Sequence, residues 1–68
     1  MIKLEALAVQ VGETPQNVLL LAAGIKDYRE VSGQFTDGME IVVKGKDIYL
    51  TNALAKLVRN KVHDEFSG

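Results

Sequence analysis

The stretch LEALAVQVGETPQNVLLLAAGI, residues 4–25, decides how the first half of the chain folds. Apolar residues recur at helical spacing in its first part, which predicts a short amphipathic helix over residues 3–11. Gly12 ends this helix, because glycine tolerates the left-handed conformation that closes a helix. Thr14 caps a second helix, and Pro15 fits its first turn, where the missing N–H costs no hydrogen bond.

The second helix is predicted to run to about Ala23 and to end at Gly24. With 3.6 residues per turn, one face points at the first helix and the other points outward. The inner face holds Val18, Leu21, Ala22 and Ile25. The outer face holds Gln16, Leu19, Leu20 and Ala23, with Asn17 at its edge. The spacing of Ala8, Gly12 and Val18 is typical of a helix-turn-helix unit.

Beyond the second helix the pattern changes to short strands separated by turns. Asp37-Gly38 is one turn signal, and Lys44-Gly45-Lys46-Asp47 is another. The predicted strands are Val31–Thr36, Met39–Lys44 and Ile48–Thr51. They predict a small antiparallel hairpin or a three-stranded meander.

A last helix is predicted from a cap at Thr51 or Asn52 to about Phe66, with apolar residues along one stripe. The order helix, helix, strands, helix predicts one small α+β domain over residues 1–68. The chain has no cysteine. A domain of this size is marginally stable without disulfides or a metal, so we expect oligomerisation or a partner to be a possible source of stability.

Two segments resemble the winged helix-turn-helix proteins of the excisionase and MerR-like group. LEALAVQVGETPQNV, residues 4–18, is similar to their opening helices, and VVKGKDIYLTNALAKLV, residues 42–58, is similar to their wing and following helix. Gly24-Ile25 falls where that group often places a glycine before the wing, whereas residues 26–38 are longer than its usual connection. A second resemblance, to the small N-terminal module of bacterial translation initiation factor two, covers only residues 4–25.

The winged resemblance implies a small DNA-binding regulator of transcription or recombination, of bacterial, phage or plasmid type. Its second helix would sit at the major groove of double-stranded DNA. The residues expected to contact DNA are Thr14, Gln16, Asn17, Lys44, Lys46, Lys56 and Arg59. The amides of Gln16 and Asn17 can pair with adenine, and the lysines and the arginine can neutralise phosphates.

The outer face of the second helix also supports a second interpretation. Leu19, Leu20 and Ala23 carry no charge, so they offer DNA only contact with a thymine methyl group. They are expected either to pack in the core or to form an apolar patch. In the second case the chain is a protein-interaction module, either a homodimer or a phage-type inhibitor of a host protein.

Composition excludes several other classes of function. The net charge of −1 argues against a general polyanion binder, although residues 42–63 hold five basic side chains against one acidic one. His63 is the sole histidine, and no glycine-rich phosphate loop occurs, so we expect no enzyme, no metal and no cofactor. The longest apolar run, residues 18–25, is too short to cross a bilayer, and the start lacks the pattern of a signal peptide. We therefore expect a soluble, cytoplasmic protein.

Overall fold

The computed structural model describes residues 1–66 and shows a small α+β fold with three helices and one sheet. The elements are β1 Ile2–Lys3, α1 Leu4–Val11, α2 Pro15–Val31, β2 Ile41–Lys44, β3 Asp47–Leu50 and α3 Asn52–Phe66. The sheet is antiparallel throughout, with strand order β1-β3-β2. The predicted α+β class is confirmed.

The core lies where the three helices meet one face of the sheet. Its buried side chains are Leu4, Leu7, Ala8, Val18, Ala22, Leu50, Leu54, Ala55, Val58 and Val62. Nine of the ten come from helices, and the sheet contributes Leu50. The described residues include no buried polar side chain in this core. Helix packing therefore provides most of the apolar burial that stabilises the fold.

The turn between α1 and α2 forms as the sequence predicts. Gly12 has φ +72°, and the N–H of Glu13 donates to the carbonyl of Ala8 at 3.0 Å. The Thr14 hydroxyl accepts a hydrogen bond from the N–H of Asn17 at 3.2 Å. A left-handed glycine and a threonine cap thus close one helix and open the next within three residues.

The predicted end of α2 at Gly24 is wrong, because the helix continues for seven more residues to Val31. Gly33, two residues beyond the last helical residue, has φ +72°, and the N–H of Gln34 donates to the carbonyl of Arg29 at 2.8 Å, which closes the helix. A glycine inside a helix costs only about 1 kcal/mol relative to alanine. Packing of the half-buried Ile25 against the core offsets that cost.

The predicted strand over residues 31–36 is also wrong. Val31 is the last residue of α2, and residues 32–40 form a connection. A turn does form at Asp37-Gly38, where the N–H of Met39 donates to the carbonyl of Thr36 at 3.1 Å, but no strands flank it. The third strand is β1, which the sequence pattern did not reveal because two residues show no periodicity.

The β2–β3 hairpin and α3 are confirmed, with β2 starting at Ile41 rather than Met39 and β3 spanning Asp47–Leu50 rather than Ile48–Thr51. Thr51 lies immediately before α3. Its carbonyl accepts from the N–H of Ala55 at 2.9 Å, while its hydroxyl accepts from the N–H of Glu40 at 3.0 Å. Thr51 therefore joins the start of α3 to the chain that leads into β2.

Candidate functional site

The start of α2 presents two amide side chains to solvent. Gln16 and Asn17 are both exposed in the first turn. The Asn17 amide donates to Oε2 of Glu13 at 3.5 Å, whereas the side chain of Gln16 has no partner among residues 1–66. The Thr14 hydroxyl already accepts the capping hydrogen bond. Gln16 is thus the freest polar group at this end of the helix.

The tip of the β2–β3 hairpin carries two exposed lysines around a two-residue turn. Lys44 pairs with Asp47 across the strands, and Gly45 and Lys46 form the turn. Gly45 has φ +61°, and it is the only residue of this turn with a positive φ, which is the pattern of a type II′ turn. The Nζ of Lys44 lies 5.8 Å from the ring centroid of Tyr49. Lys46 therefore extends more freely than Lys44.

A groove of about 450 Å³ lies between the start of α2 and the hairpin tip, and we call it the hairpin groove. Gln16 and Lys46 both line it. Its charged lining residues are Lys3, Lys46, Glu5, Glu13 and Asp47. Three carboxylates against two ammonium groups make the groove slightly acidic, which disfavours a phosphate inside it. The basic hairpin tip stands at its rim.

Lys3 and Asp47, which both line this groove, form an ion pair with Nζ and Oδ1 3.5 Å apart. Their side chains are 47% and 43% exposed. Water screens such a pair, so it contributes little to stability. Because Lys3 is paired with Asp47, Lys46 is the unpaired cation among the described residues that line the hairpin groove.

Arg59 lies in a different part of the molecule from the hairpin tip. Its Nε and Nη2 both donate to Oε1 of Gln10, at 3.2 and 3.0 Å, and so join α3 to α1. Arg59 lines a separate groove with Val11 and His63. Lys56 is exposed on α3. The structure thus brings Gln16 and Lys46 to one groove, and it does not bring Arg59 to that groove.

The three residues of the predicted apolar patch on the outer face of α2 differ in their exposure to solvent. Leu19 is half-buried and packs against the core, whereas Leu20 and Ala23 are exposed. Leu20 remains 72% exposed. Leu19 therefore belongs to the core, whereas Leu20 and Ala23 lie on the surface.

The longer α2 adds two exposed apolar residues that the sequence prediction missed. Tyr28 is 69% and Val31 84% exposed. Together with Leu20 and Gly24 they form one row along the helix, at spacings of four, four and three residues, which we call the α2 stripe. A predicted helix that continued to the next glycine, Gly33, would have revealed this row.

Beside the α2 stripe, α2 and α3 enclose a groove of about 550 Å³. Its apolar lining includes Leu21, Ile25 and Leu57. At one end, Nη2 of Arg29 donates to the carbonyl of Phe35 at 3.4 Å, while its Nε is buried without a hydrogen-bond partner. The groove therefore combines an apolar part with polar and charged residues, among them Asn60, Lys61 and Asp64, and with the guanidinium of Arg29.

The described part of the chain contains neither a cluster of metal-ligating side chains nor a helix that could span a membrane. Residues 1–66 contain no group of three or more histidine, cysteine, aspartate or glutamate side chains placed to hold a metal ion. No helix among them has both the length and the apolar character needed to cross a bilayer.

Comparison of the chain with models of protein families, with curated proteins and with solved structures gives no match. The structure itself defines the fold class, a small α+β domain with three helices and a three-stranded antiparallel sheet over residues 1–66.

Proposed function

We propose that this chain binds duplex DNA, with the start of α2 at the major groove and the hairpin tip on the adjacent backbone. The observation that carries the proposal is that Gln16 and Lys46 line one groove. A group that can read a base and a group that can bind a phosphate thus line the same groove, together with residues of α1. The resemblance to winged helix-turn-helix proteins extends this to a small regulator of transcription or recombination.

The start of α2 suits the reading of base edges. An α-helix fits the major groove, and helix-turn-helix proteins place the first residues of their second helix against base edges. The exposed amides of Gln16 and Asn17 occupy those positions here. Each amide carries one donor and one acceptor group, which is the combination that adenine presents in the major groove.

Few cations are available for the phosphates, so binding should be weak and salt-sensitive. Lys44 and Lys46 stand at the hairpin tip, and Lys56 is exposed on α3. Each phosphate neutralised contributes about −0.9 to the slope of log affinity against log salt, so two or three contacts give a slope of about −2 to −3. Because the carboxylates of the hairpin groove repel phosphates, the DNA backbone would contact the rim of the groove and not its interior.

An amide-shift titration tests this proposal. Labelled protein is titrated with mixed-sequence duplex DNA at low and at moderate salt. We expect shifts at Gln16, Asn17, Lys44 and Lys46 that weaken with salt. Unchanged spectra at both salt concentrations would contradict DNA binding.

Lys46→Ala and Lys61→Ala provide a matched pair for this titration. Both remove one positive charge from an exposed lysine, but Lys61 lies on α3 beside the α2–α3 groove and pairs with Glu65 at 3.4 Å. Only Lys46→Ala should weaken binding and reduce the salt slope, by about one contact. An equal loss of DNA affinity in the two variants would indicate that the net charge of the protein, and not the position of Lys46, determines binding.

The α2 stripe supports a second candidate function, self-association. Leu20 and Tyr28 lie one turn on either side of Gly24, where a Cβ would meet nothing within 4 Å. A two-fold axis at Gly24 would place Leu20 against the partner's Tyr28 and Tyr28 against the partner's Leu20, because such contacts repeat on both protomers. The occupant of the stripe would then be a second copy of this chain.

Sedimentation equilibrium over a range of concentrations tests self-association. The wild-type chain should approach the mass of a dimer, and Tyr28→Ser should remain a monomer. Phe35→Ser is the control, since Phe35 is 73% exposed but lies outside the stripe. A wild-type chain that stays monomeric at every concentration would exclude the dimer.

A further inference from the structure

The first half of α2 presents a row of exposed residues that carries a specific chemical pattern. Gln16, Leu20 and Ala23 follow one another at spacings of four and three residues, so they lie on one face, and all three are exposed. No lysine or arginine occurs in α2 before Lys26. The row offers an amide, then an aliphatic side chain, then a methyl group.

The amide at the start of the row matches adenine rather than guanine. Adenine presents an acceptor and a donor in the major groove, which a glutamine amide satisfies in a bidentate manner. Guanine presents two acceptors, for which arginine or lysine is the matching group. Because the side chain of Gln16 has no partner among the described residues, it can pair with a base without breaking an internal hydrogen bond.

Leu20 supplies the apolar partner of a thymine. The C5-methyl group of thymine is the apolar group that a base pair exposes in the major groove. Four residues of helix rise about 6 Å, close to two base steps of 3.4 Å. Gln16 and Leu20 can therefore contact bases about two steps apart.

We infer that α2 reads A·T base pairs, with Gln16 pairing with an adenine and Leu20 contacting a thymine methyl group. This inference rests on the DNA binding proposed above. Lys46 at the hairpin tip contributes to affinity and not to this preference, because phosphates carry no sequence information directly.

Fluorescence anisotropy with duplex pools of equal length tests the inference, because equal phosphate counts hold the electrostatic contribution constant. One pool is A·T-rich and the other is G·C-rich, both at one low salt concentration. We expect the wild-type chain to prefer the A·T-rich pool by about tenfold or more. Lys46→Ala should weaken binding to both pools by the same factor.

Two modified pools assign the preference to the two side chains. Deoxyuridine in place of thymidine removes the C5-methyl group, and 7-deazaadenine removes the acceptor at N7. The deoxyuridine pool should bind the wild-type chain severalfold more weakly, but the affinity of Leu20→Ala should not change. The 7-deazaadenine pool should also bind the wild-type chain more weakly, but the affinity of Gln16→Ala should not change. Both positions are exposed, so the variants should fold, which their amide spectra will verify.

The outcomes separate this inference from the proposed function. Equal binding to the A·T-rich and G·C-rich pools would leave DNA binding standing and overturn the reading of A·T pairs. A preference that persists unchanged in both variants would also overturn it, because DNA shape would then be its source. If no pool binds at low salt, the proposed function and the inference are both wrong.

Discussion

The two ends of α2 share one buried face but present different chemistry outward. The first turn carries the exposed amides of Gln16 and Asn17, and Gln16 shares a groove with Lys46, whereas the last turns carry exposed Tyr28 and Val31. Leu20 lies between these two regions and belongs to both proposed surfaces. On the two proposals, α2 would contact DNA at its start and a second copy of the chain along its remaining length, and the two uses would compete for Leu20.

The largest expected effect concerns the core beneath both ends. Leu54 is fully buried in the same cluster as Val18 and Ala22 of α2. Leu54→Ala should lower the free energy of unfolding by about 2–5 kcal/mol, because it leaves a cavity. Leu20→Ala, at an exposed leucine, should change it by no more than about 0.5 kcal/mol. Urea denaturation measures both, and similar losses would show that Leu20 is part of the core.

The two glycines of α2 and its cap should respond in opposite directions. Gly33→Ala should cost about 1–2 kcal/mol, since Gly33 has φ +72°. Gly24→Ala should add up to about 1 kcal/mol, because Gly24 is helical and a Cβ meets nothing within 4 Å. Thermal melting followed by circular dichroism measures the direction of the stability change in each variant. A loss of stability in Gly24→Ala would mean that the helix does not run continuously through residue 24.

At the opposite end of α2, Thr14→Ala should cost about 1 kcal/mol, because the N–H of Asn17 loses its acceptor. Hydrogen exchange should quicken at the first turn and remain unchanged at Tyr28 and Val31. Thr36→Ala is the control, since the Thr36 hydroxyl caps no helix. Faster exchange at both ends of α2 would contradict a local effect.

A small effect on stability is expected at the Lys3–Asp47 ion pair. Asp47→Asn should change the free energy of unfolding by less than about 1 kcal/mol, because both side chains are nearly half exposed. It also removes one of three carboxylates from the hairpin groove, so DNA affinity should rise at low salt. Unchanged affinity would show that DNA does not approach this groove.

Local signals predicted the parts of the fold that are set by neighbours in sequence. Gly12 and Thr14 fixed the first turn, and the Lys44–Asp47 segment fixed the hairpin. The extent of α2 was missed because Gly24 and Gly33 look alike in a sequence, and only packing of Ile25 decides which one ends the helix.

The candidate site was predictable only residue by residue. Exposure of Gln16 and Lys46 followed from local pattern, but their common groove depends on how the hairpin, α1 and the start of α2 come together. The hydrogen bonds between Gln10 and Arg59 join positions 49 residues apart, and no local pattern indicates them. Sequence reasoning could place the charge of Arg59 on α3 but could not show that its guanidinium is engaged.

The short strand β1 has a consequence for the order in which the molecule folds. Ile2 pairs with Leu50, so the sheet joins nearly the first residue of the chain to one far along it. Contacts between such distant residues require the closure of a long loop, which slows folding, whereas α1, α2 and the hairpin need only local contacts. During synthesis the sheet is completed only after β3 has left the ribosome.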